Sequence, residues 1–132
     1  MKEERSVGAV VFNGSDFLLL RYGYGHWDYV KGNIEPGEVK EETLMRELRE
    51  ETGILDGKII PGFLEKIEYF YTRDGVKTHK EVVFLLLKVD TKDVKLSFEH
   101  TDYKWLSYSN ALKQLTFDNA KEILKKAKAF LK

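Results

Sequence analysis

Glu47, Glu50 and Glu51 stand at i, i+3 and i+4 in a stretch free of Gly and Pro, so on a helix their carboxylates share one face within a single turn. Three like charges are thereby crowded just ahead of Gly53. At that end of a helix the macrodipole already disfavours anions, by about 0.3–1 kcal/mol each at exposed sites. A bound divalent cation removes both penalties. Hard carboxylate oxygens point to Mg²⁺, with Mn²⁺ as the alternative. The chain has no Cys, so thiolate metal sites, thiol nucleophiles and disulfides are excluded. The competing account is an acidic solvated face neutralised by Arg46 and Arg49, and the helix taken alone does not separate the two.

The element that must present these acids is a helix over residues 39–52. Glu41 and Glu42 suit its N-terminus, and Gly53 sits where a left-handed cap is expected. Val39 is a poor N-cap, which predicts an irregular first turn. Ahead of the helix, apolar runs at 7–12 and 17–21 flank Asn13-Gly14-Ser15-Asp16 and read as a hairpin. The glycine-rich segment 22–37 lacks periodicity and is predicted to be a long surface loop, with Trp27 as its anchor. Strands are predicted at 58–60, 63–72, 78–89 and 102–106, the middle two joined across Arg73-Asp74-Gly75. A short helix is predicted at 109–115. In the last segment Phe117, Ala120, Ile123, Leu124, Ala127, Phe130 and Leu131 trace one helical face, with Lys121, Lys125, Lys128 and Lys132 on the other. Mixed strands with helices between and after them imply an α/β domain, a sheet covered by helices on its faces.

Composition bounds what such a fold can serve. With 132 residues the chain fits one domain, 1–132, with no repeat and no Pro- or Ser-rich linker. Its 22 basic and 22 acidic residues cancel, which argues against a nucleic-acid coat and against a membrane-surface binder. The longest apolar runs are strand-length, and residues 1–5 open no secretory segment. A cytoplasmic protein with no membrane association and no stable nucleic-acid complex is the expectation.

Read from Gly32, the sequence runs Gly32-Asn33-Ile34-Glu35-Pro36-Gly37-Glu38, seven residues to Met45, then Arg46-Glu47-Leu48-Arg49-Glu50-Glu51-Thr52-Gly53-Ile54. This resembles the box of the Nudix hydrolase family, with every specified position filled. The resemblance implies a Nudix fold, an α/β/α sandwich around a central mixed β-sheet, and hydrolysis of a nucleoside diphosphate linked to a further group. It implies Glu47, Glu50 and Glu51 as metal ligands, Arg46 orienting a glutamate by ion pair, Glu38 supporting the loop or a second ion, and Gly32 and Gly53 serving backbone geometry. The chemistry agrees. Cleaving a P–O–P bridge needs neutralised non-bridging oxygens, an aligned water and a base for its proton, and clustered carboxylates with Mg²⁺ supply all three.

Within that family the flanking residues are similar to the asymmetrical diadenosine tetraphosphate hydrolases. The likeness rests on Leu18-Leu19-Leu20 leading to Trp27, on Lys31 to Glu38, on Tyr69-Phe70-Tyr71, on Lys80, and on Leu96-Ser97-Phe98-Glu99-His100 to Trp105-Leu106. Val30 and Asn33 replace that group's Pro and His, and Asn33 can hydrogen-bond a phosphate or water without titrating. A strand places Tyr69 and Tyr71 on one face as a platform for a purine, with Phe70 on the other. Lys31 and Lys80 are the candidates to neutralise outer phosphates. Glu99 joins Glu47, Glu50 and Arg46 in the candidate catalytic set, whereas His26, His79 and His100 are expected to be structural or exposed. The leading expectation is cleavage of a dinucleoside polyphosphate, diadenosine tetraphosphate to ATP and AMP, by a monomer or homodimer. Its rivals are pyrophosphohydrolysis of nucleoside triphosphates or RNA 5′ ends, and a Nudix-fold module that binds a nucleotide without cleaving it.

Overall fold

The run at 7–12 shows no polar alternation because its strand is covered on both sides. In the computed structural model, which describes residues 1–132, that strand is β1 (Lys2–Asn13). Val10 and Phe12 point into one core, and Val7, Ala9 and Val11 into the other. The parallel strand β7 (Val76–Lys88) repeats the pattern: Val82, Phe84 and Leu86 face the first core, Leu85 and Leu87 the second.

The remaining strands are β2 (Asp16–Tyr22), β3 (Trp27–Asp28), β4 (Val30–Asn33), β5 (Lys58–Ile59), β6 (Glu65–Arg73) and β8 (His100–Ser107). With β1 and β7 they make one mixed eight-stranded sheet, in which β1–β7 is the parallel pair and the others are antiparallel. On one face, α1 (Lys40–Thr52) buries Leu44 and Leu48. On the other, α2 (Tyr108–Gln114) contributes Ala111, and α3 (Asp118–Phe130) contributes Ala120, Ile123, Leu124 and Ala127. The α/β/α sandwich forms as expected. None of these helices is long and apolar enough to cross a membrane.

Several expectations need correction. Residues 22–37 are not one loop, because β3 pairs with β2 and β4 with β1, Ser6 opposite Asn33 through Ala9 opposite Val30. Their glycines hid a strand whose partner lies far away in sequence. The N-terminal strand starts at Lys2 rather than at 7, because the parallel ladder begins with Lys2 opposite Thr78. The first turn of α1 is regular despite Val39, since Glu42 Oε1 accepts the Val39 N–H at 3.0 Å. Phe117 and Phe130, assigned to the apolar face of α3, are 46% and 43% exposed: one precedes the helix and the other closes its last turn.

Candidate active site

Helix α1 is closed at its C-terminal end by Gly53, whose φ of 75° is left-handed and whose N–H donates to the Arg49 carbonyl at 2.9 Å. With Leu44 and Leu48 held in the core, the helix sets its last two turns over β4. Glu47 lies directly on Gly32, where a Cβ would come within 2.3 Å of the Glu47 Oε1 atom. Gly32 is thus required by close approach rather than by an unusual φ.

Arg46 stands behind the acids and ties them together. Its Nε donates to Glu38 Oε2 at 2.9 Å, and its Nη1 to Glu47 Oε1 at 2.8 Å and Glu50 Oε2 at 3.2 Å. Glu38 also accepts from the Glu35 N–H at 3.0 Å and the Thr43 hydroxyl at 2.8 Å, so it locks the loop 35–38 onto the helix. The guanidinium of Arg46, with those donors, holds the Glu38 carboxyl down at about 2.

Glu47, Glu50 and Glu51 line a cavity of about 540 Å³ together with Lys31, Gly32 and Asn33 of β4, and with Ser97, Phe98 and Glu99 from the segment before β8. Nearly every lining side chain is polar. Glu50 is half-exposed, while Glu51 is 3% exposed and its Oε1 has no hydrogen-bond partner. Burial and the neighbouring Glu47 carboxylate push the Glu51 carboxyl well above the usual range. No three His, Asp or Glu side chains converge in coordinating geometry, and Arg46 is ion-paired with both Glu47 and Glu50. The donor set nevertheless suits a hard divalent cation: a buried carboxylate, further carboxylates on the same cavity wall, and no softer ligand among them.

A second cavity of about 250 Å³ adjoins the first, and Asn33 lines both. Its other walls are Glu4, Tyr69, Tyr71, Arg73 and Lys80. Lys80 Nζ donates to Asn33 Oδ1 at 3.0 Å and lies 3.5 Å from Glu4, while the Tyr71 hydroxyl donates to Glu4. Burial lowers the Lys80 ammonium below its ordinary value. The Tyr69 and Tyr71 rings lie 6.3 Å apart on one face, and Phe70 packs against His79 on the opposite one. A third cavity, also about 250 Å³, shares Lys31 with the first and Tyr69 with the second, and adds Asp28, Phe84, Phe117 and Asn119.

The structure therefore gathers Glu47, Glu50, Glu51, Glu99, Lys31 and Asn33 around one cavity, and sets Tyr69, Tyr71 and Lys80 beside it. Arg46 lines none of these cavities; it braces the acids from outside. Sequence reasoning passed over Asp28, whose buried carboxylate pairs with Lys31 at 2.8 Å, and Glu4, which holds Tyr71 and Lys80. Neither lies in a recognisable pattern, and only the β1–β7 pairing brings Glu4 opposite Lys80. His100, expected to be structural or exposed, is buried with its Nε2 3.5 Å from Glu51.

Comparison with known proteins gives one consistent picture. A family profile described as the NUDIX domain matches residues 2–127. The bis(5′-nucleosyl)-tetraphosphatase [asymmetrical] of Sus scrofa is 37% identical over 122 residues, covering 88% of this chain and 80% of that protein. A crystal structure of a C. elegans Ap4A hydrolase binary complex superposes with a TM-score of 0.84 at 31% identity, covering 97% of each chain. An RNA pyrophosphohydrolase of Pseudoalteromonas translucida is 28% identical over 127 residues, 83% of this chain and 74% of that protein.

Proposed function

This chain belongs to the NUDIX domain family, and on that premise we propose that it hydrolyses a phosphoanhydride of dinucleoside polyphosphates, cutting diadenosine tetraphosphate into ATP and AMP. The observation that carries the proposal is the adjacency of the three cavities. Lys31, Asn33 and Tyr69 are shared walls, so an acidic chamber stands directly beside basic and aromatic hollows. A polyphosphate with a purine at its end matches that sequence of surfaces.

Hydrolases of this family depend on a divalent cation, for which Mg²⁺ is the proposed ion here and Glu47, Glu50 and Glu51 the proposed ligands. When bound, it neutralises phosphate oxygens and lowers the pKa of a coordinated water. The residues of this chain do the rest. Arg46 limits the swing of Glu47 and Glu50. Lys31 and Lys80, both already oriented by carboxylates, meet the phosphates outside the acidic chamber. Tyr69 and Tyr71 offer the flat surface on which a purine stacks. One carboxylate of the chamber, with Glu99 among the candidates, accepts the proton of the attacking water. The water oxygen bonds to phosphorus, the bridging P–O bond breaks, and the departing phosphate carries away its oxygen and electron pair.

The test is hydrolysis of diadenosine tetraphosphate with Mg²⁺ and chromatography of the products. ATP with AMP is the expected pair. A nucleoside monophosphate with pyrophosphate, released from a triphosphate at a higher kcat/KM, would replace this substrate by a triphosphate or an RNA 5′ end. Saturable binding with no product would mark a nucleotide-binding module.

A further inference from the structure

In the whole chain two buried side-chain polar atoms lack a hydrogen-bond partner, Glu51 Oε1 and His100 Nε2, and they face each other at 3.5 Å. Both side chains are almost wholly enclosed. Two orphaned atoms of complementary chemistry, a few tenths of an ångström beyond ordinary hydrogen-bond length, are a pair rather than two separate faults.

The backbone is arranged to make that pair. Along the β2–β8 ladder Arg21 stands opposite Asp102, but Tyr22 stands opposite His100, so the register slips by one residue at Thr101. Without this bulge Thr101 would face Tyr22, and the His100 side chain would project from the other side of the ladder. The slip brings the imidazole beneath the last turn of α1. Its remaining freedom is then removed. The Tyr22 ring packs edge-on at 4.5 Å, itself fixed by a 2.5 Å hydrogen bond from its hydroxyl to the Tyr29 carbonyl. His100 Nδ1 lies 3.1 Å from Ser97 Oγ.

We propose that His100 is a positioning residue for Glu51: Ser97 donates to Nδ1, which places the imidazole proton on Nε2, and Nε2–H donates to Glu51 Oε1. One carboxylate oxygen is thereby anchored, which fixes the orientation of a carboxylate that lines the chamber. With the opposite tautomer, two lone pairs would confront each other across 3.5 Å unless the carboxyl kept its own proton, and a protonated carboxyl is a poor ligand for a hard cation. This inference deepens the role proposed for Glu51 above and rests on it.

Two measurements test it. In the Mg²⁺-loaded protein, where Glu51 is ionised as a ligand, long-range ¹H–¹⁵N correlation spectra should show the His100 ring protonated at Nε2 and bare at Nδ1; a proton at Nδ1 with Nε2 bare overturns the proposal. Binding of Mn²⁺ alone, followed by calorimetry, should weaken about tenfold in His100→Phe, which keeps the ring against Tyr22, and recover at least half of that loss in His100→Gln, whose amide nitrogen reaches the Nε2 position. In the same variants kcat falls with the Mn²⁺ affinity while KM for the dinucleotide stays within about twofold. A His100→Phe protein that binds Mn²⁺ as tightly as wild type overturns the proposal while leaving Glu51 a ligand. A wild-type protein that binds no Mn²⁺ overturns both. Should His100→Phe not fold, Ser97→Ala replaces it, with a loss of about threefold expected and an unchanged affinity counting against the proposal.

Discussion

The carboxylate of Glu47 rests on Gly32 so closely that a Cβ at position 32 would fall 2.1 Å from Glu47 Cδ. What such a Cβ would displace is the far end of a flexible side chain, not backbone. Gly32→Ala is therefore expected to leave the fold and the thermal midpoint nearly unchanged while swinging Glu47 away from its place. A displacement of about 1 Å in a catalytic group costs on the order of a hundredfold in rate. Steady-state kinetics beside a melting curve check it: a folded variant with wild-type kcat would show that the position of Glu47 is immaterial.

Glu51→Gln separates function from stability more sharply. Burial and Glu47 raise the folded pKa of Glu51 above its ordinary 4.5. For a carboxyl raised in this way the unfolded chain gives up its proton first, so the metal-free protein loses stability as pH climbs from 4.5 toward the folded value. Glutamine fills the same space without that cost. The variant should lose at least about 99% of activity yet melt roughly 3 °C or more above metal-free wild type at pH 8, the two converging below pH 4. A variant that melts below wild type at pH 8 would refute the account of Glu51 as a strained, buried acid.

The residues that made this site legible in the sequence were those whose spacing is local. Glu47, Glu50 and Glu51 share a helix, and Arg46 and Gly53 stand in the same short run, so periodicity and capping put them at one helix end, while their roles came from the resemblance to the Nudix box. Gly32 was legible only as part of a motif; its physical reason, contact with Glu47, belongs to the packing of β4 under α1. What remained hidden depends on chain pairing over long separations. Strand β4 was masked by its glycine, and Glu4 acquires its partners only through the parallel β1–β7 ladder. The approach of His100 to Glu51 requires a one-residue slip in β8 that no composition or periodicity announces.

Away from the site, His79 lies between two acids, with Nδ1 2.6 Å from Glu3 and Nε2 3.0 Å from Glu68. The hydrogen bond to Glu3 is the largest effect and, helped by that to Glu68, raises its pKa above the ordinary 6.5 against the opposing effect of burial. A histidine raised by its partners contributes stability fully below 6.5 and loses it as pH rises through the folded value. His79→Gln should thus lower the melting temperature by about 1–2 °C near pH 5.5 and by nothing measurable near pH 9, the small size reflecting solvent screening. A gap that is constant with pH would assign the loss to packing against Phe70 instead.

Lys80 tests the outer phosphate contacts, because its charge is held ready by Asn33 and Glu4 rather than by the acidic chamber. A cation that meets phosphates equally in ground and transition states sets affinity and not turnover. Lys80→Met should raise KM for the dinucleotide about tenfold, leave kcat within about twofold, and leave Mn²⁺ affinity untouched. The substitution also uncovers the Glu4 carboxylate, whose negative charge would itself repel phosphate. The double variant Glu4→Gln/Lys80→Met distinguishes the two effects. If the lost cation is what matters, KM stays at least about fivefold above wild type in the double variant; if exposure of Glu4 is the cause, KM returns to the wild-type value, and Lys80 is then a neutraliser of Glu4 rather than a contact for substrate.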